Sequence, residues 1–307
     1  MITILIHMIS EENTIMATRK TEGAAPRNIY SSIKLWLPSL SKIEKRIAMY
    51  LYDHPKEIAS MPMAKVAEAC SCSEGSVDRL CKKLGCSGYA QAREMLAAHP
   101  LPSEDSVSQV NIKQNTPVEE LIQNINDLYI NTLQRTKELN PAAKFETAIG
   151  RIARAKRLFF FGIGDALVPC LSAYYRFRRT GIDCLFDQDA DMQLINASMI
   201  EKDDVVIAVS HSGNTRQVNA AMKAAHEAGA FCIGITQSVK SPMTQYCDLL
   251  FFNAVSESTV GNTNVAHRLA ESTIMEILYA GVVTLIPEQA QKYLVKSAEN
   301  LLVNKET

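Results

Sequence analysis

Six consecutive residues, Ser210-His211-Ser212-Gly213-Asn214-Thr215, combine three hydroxyls, an imidazole, an amide and a glycine. They follow the apolar run Val205-Val206-Ile207-Ala208-Val209 and precede a helical pattern from Arg216 to Ala228, ended by Gly229. In an open parallel sheet, ligands bind beyond the carboxyl ends of strands, where helices begin. Hydroxyls, a glycine for close backbone approach and the free N–H groups of a helix start are the parts of an anion cradle. The bland reading is a strand-to-helix turn capped by Ser and Thr, and the loop alone does not separate the two. No Walker lysine follows, which argues against a nucleoside triphosphate. Gly162-Ile163-Gly164-Asp165 ends another apolar run, Leu158–Phe161, and would face the same crevice. It lacks the third glycine of a dinucleotide site, because position 167 is Leu. Thr236-Gln237-Ser238 ends a third strand and can add hydroxyls. An aldose–ketose isomerase needs a base beside the substrate carbon, and His211, Glu257, His267 and Glu271 are the candidates.

A second set of residues suits a different chemistry. Between Cys72 and Tyr89, the residues Val77, Leu80, Cys81 and Leu84 fall at i, i+3, i+4 and i+7 and form one apolar stripe. Ser73 stands at the N-cap position and Gly85 just past the end, as a helix stop requires. The opposite face carries Ser76, Arg79, Lys82 and Lys83. A short helix runs from Met63 to Cys70 after Pro62, and Ser71-Cys72 turns into the Ser73 helix, as in a helix-turn-helix motif over about residues 63–82. An ordinary amphipathic surface helix fits the stripe equally well.

These elements must be positioned by two domains. The 307 residues, 47% hydrophobic and 21% charged, suit a two-domain globular protein. Net charge is −1, so nucleic-acid affinity must come from a local patch. Residues 28–99 hold ten basic against seven acidic residues, a mild excess of the right sign. No apolar run reaches the length of a membrane span, and the opening Met1–Met8 lacks the basic start of a signal peptide. Residues 1–27 read as a disordered extension, with Met8 and Met16 as alternative starts. In the first domain, residues 28–100, helical patterns break near Pro38. Ser41 caps a helix that buries Ile43, Ile47, Tyr50 and Leu51 and is closed by Pro55. Residues 101–117 read as a linker. Residues 118–307 then pass from a helix with Leu121, Ile122, Ile125, Leu128, Tyr129 and Leu133 on one face into alternating strands and helices, with a core about 145–287. That alternation predicts a parallel sheet flanked by helices. The eight cysteines match no zinc spacing and read as reduced thiols; neither metal nor cofactor is expected.

Together the halves resemble the RpiR family of bacterial transcriptional regulators, in which an N-terminal helix-turn-helix domain precedes a C-terminal SIS (sugar isomerase) domain. The resemblance rests on Leu40-Ser41-Lys42, Glu44–Ala48, Val66-Ala67, Ser73–Val77, Arg79–Gly85 and Gly88-Tyr89 in the first half. In the second it rests on Phe161–Gly164, Asp204–Ser210, Ser212–Thr215, Gly229-Ala230, Ile235-Thr236 and Ser241-Pro242. It implies an α-helical DNA-binding domain joined to an α/β phosphosugar-binding domain, in a cytoplasmic homo-oligomer, dimer or tetramer, that makes no membrane contact. By the family pattern Ser210, Ser212 and Thr215 hold the phosphate, and Gly164 admits the ligand to the backbone. Asp165, His211 and Asn214 complete the expected ligand set, although the family usually has serine where Asp165 stands. Operator DNA would meet Ser73, Glu74, Gly75 and Ser76 at the helix start. Arg79 and Lys82 would contact bases or phosphate, and Lys83, Ser87 and Tyr89 the DNA backbone. Asp78 could accept from cytosine N4. The resemblance implies no catalytic residue; the alternative is a sugar-phosphate isomerase with a helical N-terminal domain.

Overall fold

The structure is a computed structural model that describes residues 29–98, 116–254 and 266–304. The N-terminal extension to residue 27, most of the expected linker, and Glu257 lie outside the described residues.

The first unit is all helix: α1 (Ile29–Trp36), α2 (Lys42–Asp53), α3 (Pro55–Ile58), α4 (Met63–Ala69), α5 (Glu74–Lys83) and α6 (Tyr89–Ala98). Its core gathers Ile29, Ile33, Ile47, Leu51, Ile58, Val66, Leu80 and Leu84. Ser41 caps α2 through a full capping box: its Oγ accepts from the Glu44 N–H, and Glu44 accepts from the Ser41 N–H at 2.8 Å. Pro55 does not simply close α2; it opens the one-turn α3, where its missing N–H costs nothing. Ile43 is 48% exposed, not buried.

Between α4 and α5 the backbone reverses at Ser71, a non-glycine residue at φ 46°. The Cys72 N–H returns to Ala67 O at 2.9 Å, and Arg46 donates to Ser71 O at 3.1 Å. Those two bonds hold a conformation that serine adopts reluctantly. Gly85 ends α5 at φ 94°, with Gly85 N–H bonded to Lys82 O and Cys86 N–H to Cys81 O. Both bonds belong to a Schellman stop, which needs the left-handed glycine.

Helix α7 (Val118–Leu139) leads into α8 (Ala142–Ala153) and the sheet. The strands are β1 (Leu158–Phe161), β2 (Cys184–Leu185), β3 (Val205–Val209), β4 (Phe231–Thr236) and β5 (Leu249–Phe252), all parallel in the order β2-β1-β3-β4-β5. Strands buried on both faces send alternate side chains to opposite layers. Leu158 and Phe160 pack with Val205, Ile207 and Val209 against α8, α9 (Leu167–Arg178) and α12 (His267–Leu285). Phe159 and Phe161 pack with Val206 and Ala208 against α10 (Ala190–Ala197) and α11 (Arg216–Glu227). α13 (Pro287–Leu301) closes the described chain. Arg157 fixes the start of β3 by a two-pronged pair to the fully buried Asp204, Nε to Oδ1 at 3.0 Å and a terminal nitrogen to Oδ2 at 2.5 Å.

Three departures from the sequence pattern bear on the site. Helix α10 has no counterpart in the expected elements; Asp189 caps it by accepting from the Asp191 and Met192 N–H groups. After Ser241-Pro242, where the alternation of strands and helices calls for a helix, the chain makes only a 3-10 turn, Thr244–Tyr246. On α7 the buried residues are Leu128, Thr132 and Thr136, while Ile122 is 60% exposed. That helix meets the sheet partly through hydrogen bonds, which an apolar stripe does not reveal. Among the described residues no single helix is long and apolar enough to cross a membrane.

Candidate ligand cradle and DNA-facing helix

Sheet order reverses between β1 and β3, so the loops after these strands open a crevice at the switch point. Two glycines at positive φ shape it: Gly164 at 64° and Gly213 at 65°. A Cβ on Gly164 would meet nothing within 4 Å, whereas one on Gly213 would sit 2.0 Å from Ser241 Oγ. The first glycine leaves room before the loop; the second lets the loop lie flat on the Ser241 turn.

The Ser210–Thr215 loop is held from behind. Ser210 Oγ and Thr215 Oγ1 are 3.0 Å apart, the Gly213 N–H bonds Ser210 O, and the Met243 N–H bonds Gly213 O at 3.1 Å. Thr236 Oγ1, expected as an added ligand hydroxyl, instead donates to His211 O at 3.0 Å. Ser210 is buried, while Ser212 and Asn214 are exposed at the front. Thr215 is the N-cap of α11, and its side chain does not close on the helix amides. First-turn amides left without a side-chain cap suit an anion. From β1, the Gly162 peptide is bracketed by Gln193 of α10, which accepts its N–H at 3.1 Å and donates to its carbonyl at 2.9 Å.

Behind the cradle lies a polar cluster that the sequence scattered over four segments. His211 Nδ1 stands 2.6 Å from Glu271 Oε1, close in distance but out of line for an N–H bond. The His211 and His267 rings meet edge-on with centroids 3.8 Å apart, and His267 Nε2 is 3.5 Å from Asp165 Oδ2. Asn253 Nδ2 donates to Glu271 Oε1 at 3.1 Å. Burial raises the Glu271 carboxyl above its ordinary range, opposed by His211. Burial also lowers His267, helped by His211 and opposed by Asp165. Among the described residues Ser241 Oγ, Asn219 Oδ1, Asn253 Oδ1 and Glu271 Oε2 are buried without a partner. Three of the four candidate bases, His211, His267 and Glu271, thus come together. Asn253, Ser241, Asn219 and Gln193 were not foreseen, and only the Asp189 cap ahead of Gln193 left a signal in the sequence.

On α5 the structure separates the expected DNA contacts. Glu74, Gly75, Arg79 and Lys82 are exposed. Arg79 folds back to donate to Ser76 Oγ at 3.1 Å, and Lys82 pairs with Asp78 at 2.9 Å. Ser73 occupies the N-cap with its Oγ turned to Ser76 Oγ, 3.0 Å away, rather than onto a helix amide. Ser87 is exposed beyond the helix. Two residues depart from the expected role. Lys83 is half-buried, 2.9 Å from Glu44 and 5.3 Å above the Trp36 ring, so it is not a free cation for phosphate. Tyr89 is 6% exposed and its hydroxyl donates to Met61 O at 2.8 Å, which makes it a core residue. Asp78, considered for cytosine, accepts from the Tyr89 N–H at 3.3 Å and steadies the start of α6. Lys82 and that amide hold its pKa below the ordinary value.

A helix-turn-helix unit followed by a parallel sheet with a glycine-shaped loop at its switch point defines the class: a helix-turn-helix domain joined to an open α/β domain. Residues 27–100 match the family model of the helix-turn-helix domain, rpiR family, and residues 151–278 match the SIS domain. The chain carries a helix-turn-helix domain of the rpiR family in its first half and a SIS domain in its second. It is 25% identical over 285 residues to the HTH-type transcriptional regulator RpiR of Escherichia coli, covering 92% of this chain and 96% of that one. It is 25% identical over 276 residues to the regulator HexR of Pseudomonas aeruginosa, covering 90% and 96%. The Vibrio vulnificus NanR protein, solved in complex with ManNAc-6P, shares the fold at TM-score 0.57 and 20% identity, covering 91% of this chain and all of that one.

Proposed function

We propose that this chain is a DNA-binding transcriptional regulator of carbohydrate metabolism, with its DNA affinity set by a phosphorylated sugar in the Ser210–Thr215 loop. The observation that carries the ligand half is the loop itself: hydroxyls, a left-handed glycine and an uncapped helix start converge where buried polar atoms stand without partners among the described residues. Ser210, Ser212 and Thr215 hold the phosphate, while Asp165, His211 and Asn214 face the sugar and Gly164 leaves it room. The relatives named as regulators support the DNA half, with Ser73, Glu74, Gly75, Ser76, Arg79, Lys82 and Ser87 toward double-stranded operator DNA. One short reading helix supplies few base contacts, so the working form is a homo-oligomer that presents a symmetric pair.

The test is thermal unfolding against glucose 6-phosphate, ribose 5-phosphate, N-acetylmannosamine 6-phosphate and the matching unphosphorylated sugars. Sugar phosphates raise the melting temperature and Ser212→Ala abolishes the rise while leaving DNA binding without ligand intact. A rise with unphosphorylated sugars alone would refute the anion cradle.

The convergence of His211, His267 and Glu271 favours a second reading, an aldose–ketose isomerase. Against it, the Glu271 side chain is fully enclosed and engaged by Asn253 and His211, which keeps it from a substrate carbon. Incubation of the sugar phosphates in deuterium oxide decides: incorporation of deuterium beside the carbonyl carbon establishes isomerase chemistry, and its absence leaves the regulator reading.

A further inference from the structure

The last turns of α7 touch both halves of the molecule. Glu138 Oε2 accepts from Ser31 Oγ at 3.0 Å, and Ser31 lies buried on α1 of the DNA-binding unit. One half-turn earlier, Thr136 Oγ1 accepts the backbone N–H of Ala254 at 3.1 Å in a buried bond. Asn140, just past the helix, clamps Phe252 with both amide atoms: Nδ2 donates to its carbonyl at 2.7 Å, and Oδ1 accepts its N–H at 2.9 Å. The exit of β5 is therefore tied to α7 on both sides of Asn253. Asn253 itself is fully buried and turns its side chain the other way, to the Glu271 oxygen that faces His211.

We propose that this run, from His211 through Glu271 and Asn253 to Thr136 and Glu138, is the route by which occupancy of the ligand loop reaches Ser31 and helix α1. Thr136 and Glu138 are positioning residues in it: neither touches the ligand, and each joins one half of the protein to α7. The inference rests on the proposed phosphosugar site and adds how its state leaves that site.

Two features make the route able to switch. Coupling between sites requires an element with two arrangements whose balance the ligand shifts. The middle of the run can supply such an element: one Glu271 oxygen accepts from Asn253 and lies 2.6 Å from His211 Nδ1, while Glu271 Oε2 and Asn253 Oδ1 have no partner among the described residues. A ligand that draws His211 toward the loop leaves Glu271 free to turn its other oxygen to Asn253. The second feature is rigidity beyond that point: with Phe252 clamped at both its N–H and its carbonyl, a shift of Asn253 is passed to Ala254 and Thr136 rather than absorbed. At the far end, Ser31 and Trp36 belong to the same helix, and the Trp36 ring lies under Lys83 of the reading helix.

Trp36 is the single tryptophan of the chain and reports on α1 without any added probe. The experiment titrates the full-length protein with the sugar phosphates named above, following heat and Trp36 emission in parallel. In the native protein the emission changes with the same half-saturation as the heat. Thr136→Val and Glu138→Leu, each of which removes an acceptor, retain a ligand Kd within about twofold and lose at least about four fifths of the emission change, while Thr136→Ser, which keeps the hydroxyl, restores it. Ser31→Ala, which removes only the donor on α1, gives the same loss and guards against misfolding of the α7 variants. A native protein that takes up ligand with no emission change overturns the route, as does a full change in both α7 variants. If no sugar phosphate gives binding heat, the phosphosugar reading itself falls, and the route with it.

Discussion

The reading helix and the ligand loop are both polar surfaces, yet they stand at opposite ends of one scale. On α5 the cations have already found partners inside the domain: Lys83 with Glu44, Lys82 with Asp78, and Arg79 with Ser76. In the crevice, Ser241 Oγ and Asn219 Oδ1 are shut away from water with no partner among the described residues. A buried polar atom without a partner costs about 1–3 kcal/mol, and a ligand that supplies the missing bond recovers part of that cost. An exposed ion pair contributes at most about 1 kcal/mol, and DNA must displace it before a phosphate can take its place. The crevice is thus poised for a tight, directional ligand, and the helix for weak contact that several copies must add together.

The largest expected effect comes from closing the crevice. Gly213→Val combines a left-handed backbone with a side chain driven into Ser241, so the loop must refold. Circular dichroism should stay native and the thermal shift with sugar phosphates should vanish. A retained shift would mean that the loop adapts and is not preformed, which would remove the contrast with α5.

The buried carboxyl gives the next effect, and its sign is fixed. Glu271 has a folded-state pKa raised above its unfolded value, so its contribution to stability is complete below about pH 4.5 and is lost as pH rises through the raised value. Glu271→Gln removes that dependence. The melting temperature of the variant should gain on the native protein as pH climbs from about 4 to 8, by several degrees at the upper end. Parallel curves would show that His211 fully compensates the charge.

The contrast also explains what the sequence could and could not disclose. Continuous apolar runs marked β1 and β3 to the residue, because a strand covered on both faces must be apolar at every position. The Ser41 box and the Gly85 stop are local bonds between near neighbours in the chain, so residue type alone placed them. Helix α7 was misread because its docking residues, Thr132 and Thr136, are polar, and the periodic apolar residue Ile122 faces outward. Nothing near Tyr89 or Lys83 in the chain signals their inward contacts, because the partners, Met61 and Glu44, lie far back in the sequence. The meeting of His211, His267 and Glu271 is likewise a product of the sheet order. His211 follows β3, while the other two sit on the first turns of a helix about 60 residues later.

The smallest effects sharpen the comparison within α5 itself, where Arg79 and Lys83 are four residues apart and differ in how firmly they are held. Arg79 is exposed and gives up only one hydrogen bond, to the uncharged Ser76 hydroxyl, when it turns outward. Arg79→Ala should therefore weaken DNA binding by about 1–3 kcal/mol if it reads a base, or lower the salt slope by about one if it meets a phosphate. Lys83 would have to leave both Glu44 and the Trp36 face. Its pair with Glu44 also closes the α2 capping box onto α5, and the Ser41 amide and Lys83 together hold the Glu44 carboxyl down to about 2. Lys83→Ala should thus leave the salt slope of DNA binding unchanged and lower the stability of the domain by about 1 kcal/mol. Part of that loss should disappear in acid, as Glu44 protonates between its ordinary pKa and about 2. A Lys83→Ala protein of native stability whose salt slope falls by one would put Lys83 on the DNA after all. The cations of α5 would then have to be read as released, not held, when the operator is bound.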